Sequence, residues 1–322
     1  MIEADLLTRI VARASLAPSV HNVQPTRWSL DGEGRILLLD TPAIRLPVAD
    51  PSGRDIAISH GAALEGTLLA LAAEGWAGQV GQAEGALAAI CATPDTPAAL
   101  PEVESRATWR GSFAPLPDPS ALDRLEAECA DLMLVRGREA IAHVASFGDD
   151  ASMHFLRDDA HRRELREWMR LTRAHPNWAH DGLNAEAMAL SPIEARAAGL
   201  VLGALFQPLD RIGLARTLLS ERAKTASAAA IALFVRPADE SAIDTGRAFY
   251  RAWLAIERHG LAACPMSVLA DWDETNRLLA ADHRMPAGQA LISVFRIGPR
   301  PCPATARRAR WAPHQLIRVG LT

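Results

Sequence analysis

The chain has 322 residues, 49% of them apolar, and a formal net charge of −4. That length holds one large domain or two ordinary ones with ample core, and the charge balance gives no reason to invoke nucleic acid or an acidic membrane surface. Lys224 is the only lysine, so any anion site here must use arginine, helix N-termini or backbone amides.

Residues 4–15 read as a helix with Leu7, Ile10, Val11 and Ala14 on one stripe. A hairpin follows, Trp28 to Leu30 and Ile36 to Leu39, turning through Asp31-Gly-Glu-Gly34. Residues 55–75 form a long helix that is apolar on nearly every side, which predicts burial at the centre of the fold. The Pro-rich segment from Pro94 to Pro101 reads as a linker. Asp118-Pro119 looks like an N-cap with proline at the first helical position, and Leu122, Leu125 and Cys129 stripe that helix. Asp131 to Val135 is a short strand. Ser191-Pro-Ile-Glu194 is a capping box, and the helix it opens is expected to bury Ile193, Ala197, Leu200 and Val201. Ala229 to Val235 and Ala290 to Ile297 read as central strands.

Two long segments echo each other. Gly61-Ala-Ala63, Leu69-Ala70 and Gly75-Trp-Ala77 match Gly246-Arg-Ala248, Leu254-Ala255 and Gly260-Leu-Ala262 at a constant offset of 185. Both would be helices ended by a C′ glycine. Two fused copies of one unit would make a single chain resemble a symmetric dimer.

The four cysteines (Cys91, Cys129, Cys264, Cys302) show no CxxC spacing and read as reduced thiols of a cytoplasmic protein. No signal peptide is expected at Met1 to Asp5, and no run of about 18 apolar residues predicts a membrane span.

Four segments are candidates for chemistry. The first is Ala17-Pro18-Ser19-Val20-His21-Asn22-Val23-Gln24-Pro25. Its two prolines stiffen the backbone, so Ser19, Asn22 and Gln24 can present donors and acceptors to the edge of a flat heterocycle. The second is Arg106-Ala-Thr108-Trp-Arg110, where two guanidinium forks bracket a hydroxyl, a pattern that suits a phosphate monoester. The bland reading of that segment is a solvated basic turn. The third is Arg307-Arg308 with Arg310, followed by Trp311 and Pro313, which can dock the segment. The fourth is Pro265-Met266-Ser267-Val268-Leu269, whose backbone amides could meet a ligand; a core strand is the alternative. His154, His161, His175 and His180 lack the i,i+4 spacing of a zinc motif, so no metal is expected. No GxSxG, P-loop or GxGxxG is present.

In order and spacing these segments resemble the nitroreductase superfamily, most nearly its internally duplicated, Acg-type FMN-binding branch. The branch shows an "APSvHNtQPW" loop, a "DP-x-GRE-x-x-x-S-x-GA-A-L" helix start, "R-x-T-x-R", and a late "R-x-G" with a basic pair. Here these are residues 17–25, Asp50 to Asp55 with Ser59 to Leu64, Arg106 to Arg110, Arg296-Ile-Gly298 and Arg307-Arg308. Thr26 stands where the family has tryptophan after "QP", and His60 occupies a small-residue position; a buried, hydrogen-bonded histidine is the reading favoured for the latter.

The resemblance implies an α+β nitroreductase-like fold, with antiparallel-rich central sheets, flanking helices and two fused halves forming a pseudo-dimer. The halves would be residues 1–97 and 98–322, the second carrying a lid insertion at about 150–190. It implies FMN as cofactor, with Arg106, Thr108, Arg110 and one of Arg307 and Arg308 on the phosphate. Ser19, His21, Asn22 and Gln24 would meet the ribityl chain and pyrimidine edge, and Pro265, Met266 and Ser267 the ring. The implied partners are NAD(P)H and a nitroaromatic or quinone-type acceptor, in a monomer or weak homodimer, with no nucleic acid, no membrane and no assigned catalytic side chain. The alternative function is flavin sequestration with little turnover.

Overall fold

The computed structural model of the protein describes residues 2–303 and 308–318. Its first part runs α1 (Ala4–Ala14), a single 3-10 turn (Val20–Asn22), β1 (Arg27–Leu30), β2 (Ile36–Leu39), α2 (Arg54–Ala73), β3 (Trp76–Gly81) and β4 (Ala88–Pro94). Then come α3 (Pro101–Ser105), α4 (Ser120–Glu128) and β5 (Leu132–Val135). A helical stretch follows: α5 (Arg138–Arg157), α6 (Asp159–Trp168), β6 (Met169–Arg170), β7 (Leu183–Asn184), α7 (Pro192–Val201), α8 (Phe206–Arg211), α9 (Leu214–Leu219) and α10 (Arg222–Ala226). The chain closes with β8 (Ala230–Pro237), α11 (Ala242–Arg258), β9 (Ala262–Pro265), α12 (Val268–Asp271), α13 (Asp273–Asp282), β10 (Gln289–Gly298) and α14 (Pro313–Leu316).

Two four-stranded antiparallel sheets share one plan. Their orders are β1-β2-β4-β3 and β5-β8-β10-β9, so each sheet seats its own last strand between its second and third. In each, a long helix, α2 or α11, joins the second strand to the third. Between β5 and β8 the second unit carries residues 136–229, an insertion broader than the expected 150–190.

The two long helices pack on each other through their glycines. A Cβ on Gly61 would lie 2.0 Å from the Ile243 carbonyl oxygen, and a Cβ on Gly246 would lie 2.0 Å from the Ile58 carbonyl oxygen. The contact is reciprocal, as at a twofold interface: Gly61 meets Ile243, the counterpart of Ile58 at the 185-residue offset, and Gly246, the counterpart of Gly61, meets Ile58. Only glycine lets backbones approach that closely. α2 is long and apolar enough to cross a membrane by length and composition, yet 67% of that stretch is buried inside the protein, as a core helix requires.

Two sequence expectations shift. The Pro94–Pro101 stretch is pinned rather than free, because Asp95 N–H donates to Gly75 O (2.8 Å) and Ala98 N–H to Ala72 O (2.9 Å). The capping box at Ser191 is present, but its helix turns the other way. Ile193, Ala197 and Leu200 face water and Val201 is half-buried, while Ala195 is buried. The periodicity was correct and the phase was not: neighbouring Leu202 and Phe206 pack with Met153 and Leu156, which fixes the inward side. The C-terminal arm also returns to the first unit. Leu316 joins the cluster around Trp28, and Arg318 N–H donates to Trp28 O at 2.7 Å.

Candidate functional site

The proline-flanked loop leaves α1 in a strained path. His21, Asn22 and Gln24 have φ of 42°, 57° and 52°, left-handed values that side-chain-bearing residues seldom adopt. Hydrogen bonds over-determine this path. Val20 N–H donates to Ser59 Oγ (3.0 Å) and Gln24 N–H to Ser19 Oγ (3.1 Å). Asn22 Nδ2 donates to the carbonyls of Gly182 and Ala309, each at 3.1 Å. Gln24 Nε2 donates to His180 O (2.7 Å), and its Oε1 accepts from Trp311 N–H (3.2 Å). Asn22 and Gln24 therefore spend their amides on the insertion and the C-terminal arm; in this structure they staple the loop. His60 is a core histidine. Its Nε2 lies 3.0 Å from Asp40 Oδ1 and its Nδ1 2.8 Å from the Thr26 hydroxyl. The carboxylate only accepts, so Nε2 donates and Nδ1 accepts from Thr26. Burial holds the ring's pKa below its ordinary value.

Beneath the loop three guanidinium groups gather. Arg106 is 3% exposed and lies over the Trp253 ring at 4.6 Å. Its Nη2 donates to Leu16 O at 2.8 Å. Arg310 donates to Ser15 O (2.6 Å) and Asn22 Oδ1 (2.5 Å). Arg308 donates to Val103 O (3.3 Å) and to Glu104 O. Burial lowers all three pKa values, and the groups depress one another: Arg308 falls to about 10 and Arg310 to about 9. Among the described residues none of the three has a carboxylate in ion-pair range. Glu257, whose charge acts on Arg106 and Arg308, is itself bonded to Arg300 at 2.6 Å. Backbone carbonyls at the end of α1 solvate Arg106 and Arg310, and those of α3 solvate Arg308, without neutralising them. Two buried polar atoms here lack a hydrogen-bond partner: Arg106 Nε and the hydroxyl of Tyr250. Tyr250 is the only tyrosine and is fully buried, and the three arginines pull its raised pKa back down.

Arg110 goes elsewhere than Arg106. Its Nη1 donates to Ala187 O in the insertion (2.9 Å). Its charge, with that of His161, adds to burial in lowering His21 to about 4. Thr108 forms a parallel bridge with Ala263, which sets this segment beside β9. The R-x-T-x-R residues thus split between two ends of the site.

At the end of β9, Pro265 has no amide hydrogen and the Met266 N–H is taken by Val294 O (2.7 Å), which leaves Ser267 as the amide available from that trio. Ser267 O accepts from Asp271 N–H at 2.9 Å. Asp55, from the first turn of α2, and Asp271 are both pushed up in pKa, first by desolvation and then by a neighbouring carboxylate, Asp50 for Asp55 and Asp55 for Asp271. Cys264, next to Pro265, is buried and pairs across the sheet with Arg296.

Arg307 lies outside the described residues. Arg310, read in sequence only as a companion of the pair, is the better-connected member of the cluster. Tyr250 and Asp271 carried no sequence signal, because only the packing of α11 and α12 brings them in, and Asp55 stood in the helix-start motif without a role of its own. Among the described residues no group of three His, Cys, Asp or Glu side chains could hold a metal ion.

No family model matches the chain. Over 179 residues it is 29% identical to "Putative NAD(P)H nitroreductase Rv3131" of Mycobacterium tuberculosis, covering 52% of each protein. Over 75 residues it is 37% identical to "Putative NAD(P)H nitroreductase acg" of the same organism, covering 23% of this chain and 22% of that protein. The chain thus spans about half the length of the first of these relatives and less of the second. A solved FMN-dependent nitroreductase, NfnB of Mycobacterium smegmatis in complex with NADPH, is 17% identical with a TM-score of 0.38, covering 66% of this chain and 92% of that one. A nitroreductase-like family protein of Bacillus cereus is 12% identical with a TM-score of 0.37, covering 71% and 100%. Likeness at that level is too slight to transfer a ligand or an activity. The chain is a relative of proteins named as NAD(P)H nitroreductases, Acg among them.

Proposed function

We propose that this protein binds FMN between two duplicated halves, residues 1–97 and 98–322, and transfers electrons from NAD(P)H to a small acceptor such as a nitroaromatic or quinone. The carrying observation is the buried Arg106 beside the half-buried Arg308 and Arg310, with no carboxylate in ion-pair range among the described residues, next to a Tyr250 hydroxyl that lies by the Arg106 guanidinium. Three cations in a desolvated pocket call for a multiply charged anion, and a phosphate monoester meets that need. The strained loop alongside supports the same reading, since such strain persists mainly where function over-determines it. The names of the curated relatives agree with it.

When bound, FMN would supply the two-electron chemistry, accepting and delivering hydride. Arg106, Arg308, Arg310 and Tyr250 would hold its phosphate, with the Thr108 hydroxyl and Arg110 nearer the insertion. Ser19 and His21 would present loop groups to the ligand, and Asn22 and Gln24 would keep that loop in place. Met266 and Ser267 would line the ring. His21 stays neutral at pH 7, so it can accept or share a proton without adding a fourth cation.

The matched sheet plans and the reciprocal contact of Gly61 and Gly246 support the duplication. A second reading, sequestration without turnover, is favoured by one observation: the insertion is tied to the loop through His180 and Gly182 and to Arg110 through Ala187. Anaerobic mixing of the FMN-loaded protein with NADPH and NADH decides between them. Loss of the 450 nm absorbance supports the oxidoreductase, and persistent colour supports sequestration. A protein that leaves FMN fluorescence unchanged on titration sinks both.

A further inference from the structure

The outward face of the insertion is apolar where it should be polar. Among the described residues nine large apolar side chains are exposed, and six of them fall between residues 193 and 218. Ile193 (78% exposed) and Leu200 stand two turns apart on one side of α7. Leu205 and Ile212 (67% exposed) flank α8, and Leu214 and Leu218 stand one turn apart on α9. The opposite sides of the same helices are buried through Ala195, Phe206 and Ala215. These helices are therefore apolar inside and out, unlike an ordinary surface helix.

The charges around the patch say what would cover it. Within residues 191–226 there are five basic and three acidic side chains, although the whole chain carries −4. Arg196, Arg211 and Arg222 are exposed, and among the described residues they have no carboxylate in ion-pair range. Isolated apolar side chains interleaved with free guanidinium groups complement an interface of acyl chains and anionic headgroups. A second copy docking this face on itself would bring the same arginines towards one another.

We propose that α7–α9 form a peripheral docking face for a bilayer surface containing anionic lipid. The leucine and isoleucine side chains enter the headgroup–acyl boundary and the arginines meet lipid phosphates. The protein docks without spanning, since among the described residues the one helix long and apolar enough to cross a bilayer is committed to the core. This inference does not depend on the identity of the cofactor.

The test is flotation of the purified full chain with phosphatidylcholine vesicles, with and without 30% phosphatidylglycerol, at low and high salt, alongside size-exclusion chromatography. The expected result is flotation with the anionic vesicles, weakened by salt. A variant carrying Ile193→Ser, Leu200→Ser and Ile212→Ser should lose binding by at least about tenfold, since each change withdraws an apolar side chain from the headgroup–acyl boundary. Arg196→Gln with Arg211→Gln should weaken binding to anionic vesicles alone. Circular dichroism and melting curves establish that each variant is folded. Absence of the wild-type protein from the floating fraction overturns the proposal. So does equal flotation by the folded triple-serine variant. A concentration-dependent dimer that the serine changes abolish, without flotation, assigns the face to a second copy instead.

Discussion

The candidate site has a cationic end and an acidic end, and they manage buried charge in opposite ways. Arg106, Arg308 and Arg310 have depressed pKa values, yet with Arg308 near 10 and Arg310 near 9 both of those stay protonated at pH 7. That end keeps its charge and needs a counter-anion. Asp55 and Asp271 respond by binding protons more tightly, pushed up to about 6 and about 7, which reduces their charge near neutral pH. One end keeps its cations; the other relieves part of its repulsion.

Four experiments would break or sharpen that contrast. The largest effect belongs to Arg106→Ala combined with Arg310→Ala. Each charge-assisted bond contributes about 1.5–3 kcal/mol, so FMN should bind a hundredfold or more weakly, while riboflavin, which has no phosphate, should bind as before. Equal losses for both flavins would mean that the arginines shape the fold and not the anion pocket.

The next concerns His21, whose cationic form is suppressed first by burial and then by the charges of His161 and Arg110. Its folded pKa of about 4 lies below the ordinary 6.5. As pH falls through about 6.5 the unfolded chain takes up a proton that the folded protein refuses, so stability is full above that pH and declines towards pH 4, by at most about 3 kcal/mol. His21→Gln should flatten this decline in urea melts at pH 7 and 4.5. An unchanged slope would place the ring in water.

Tyr250→Phe should weaken FMN by about tenfold, the order of one hydrogen bond to a charged group, and leave riboflavin unaffected. A preserved ratio of the two affinities removes the phenol from the phosphate pocket.

The smallest effect is expected at the acidic end. A carboxyl whose folded pKa is raised contributes stability below its unfolded pKa and loses it as pH rises through the folded value. Asp271→Asn should therefore gain stability relative to wild type at pH 8 but not at pH 4. Asp271 is also solvent-accessible, so the gain should stay below about 1 kcal/mol. Thermal melts at the two pH values measure it.

Much of the fold was readable in the residues. The stripe in residues 4–15, the all-round apolar helix at 55–75 and the strands at 229–235 and 290–297 stand within a residue or two of α1, α2, β8 and β10. Local periodicity decides such elements, and long buried ones carry the clearest signal. Phase against a partner is a different matter. Ile193 and Leu200 follow the period of a buried face, but the position of α5 decided which side turned inward. The site was legible in its loops and opaque in its assembly. Arg106 and Arg110 sit four residues apart and diverge because the segment runs alongside β9. Tyr250 lies 144 residues beyond Arg106, on a helix face whose neighbours no local pattern names. Asn22 and Gln24 looked like ligand contacts, since the same amides can serve a heterocycle or a carbonyl of the insertion.

The backbone contact between α2 and α11 has a consequence for how the protein can vary. Spacing at that seam is set by two residues that have no side chain, so it acts as a fixed ruler between the units, indifferent to repacking elsewhere. Each unit is free to drift in sequence, to acquire insertions or to lose a charge, and the distance across the cleft stays constant. The same rule makes positions 61 and 246 intolerant individually: enlarging either one would wedge the halves apart and detune every contact that spans them.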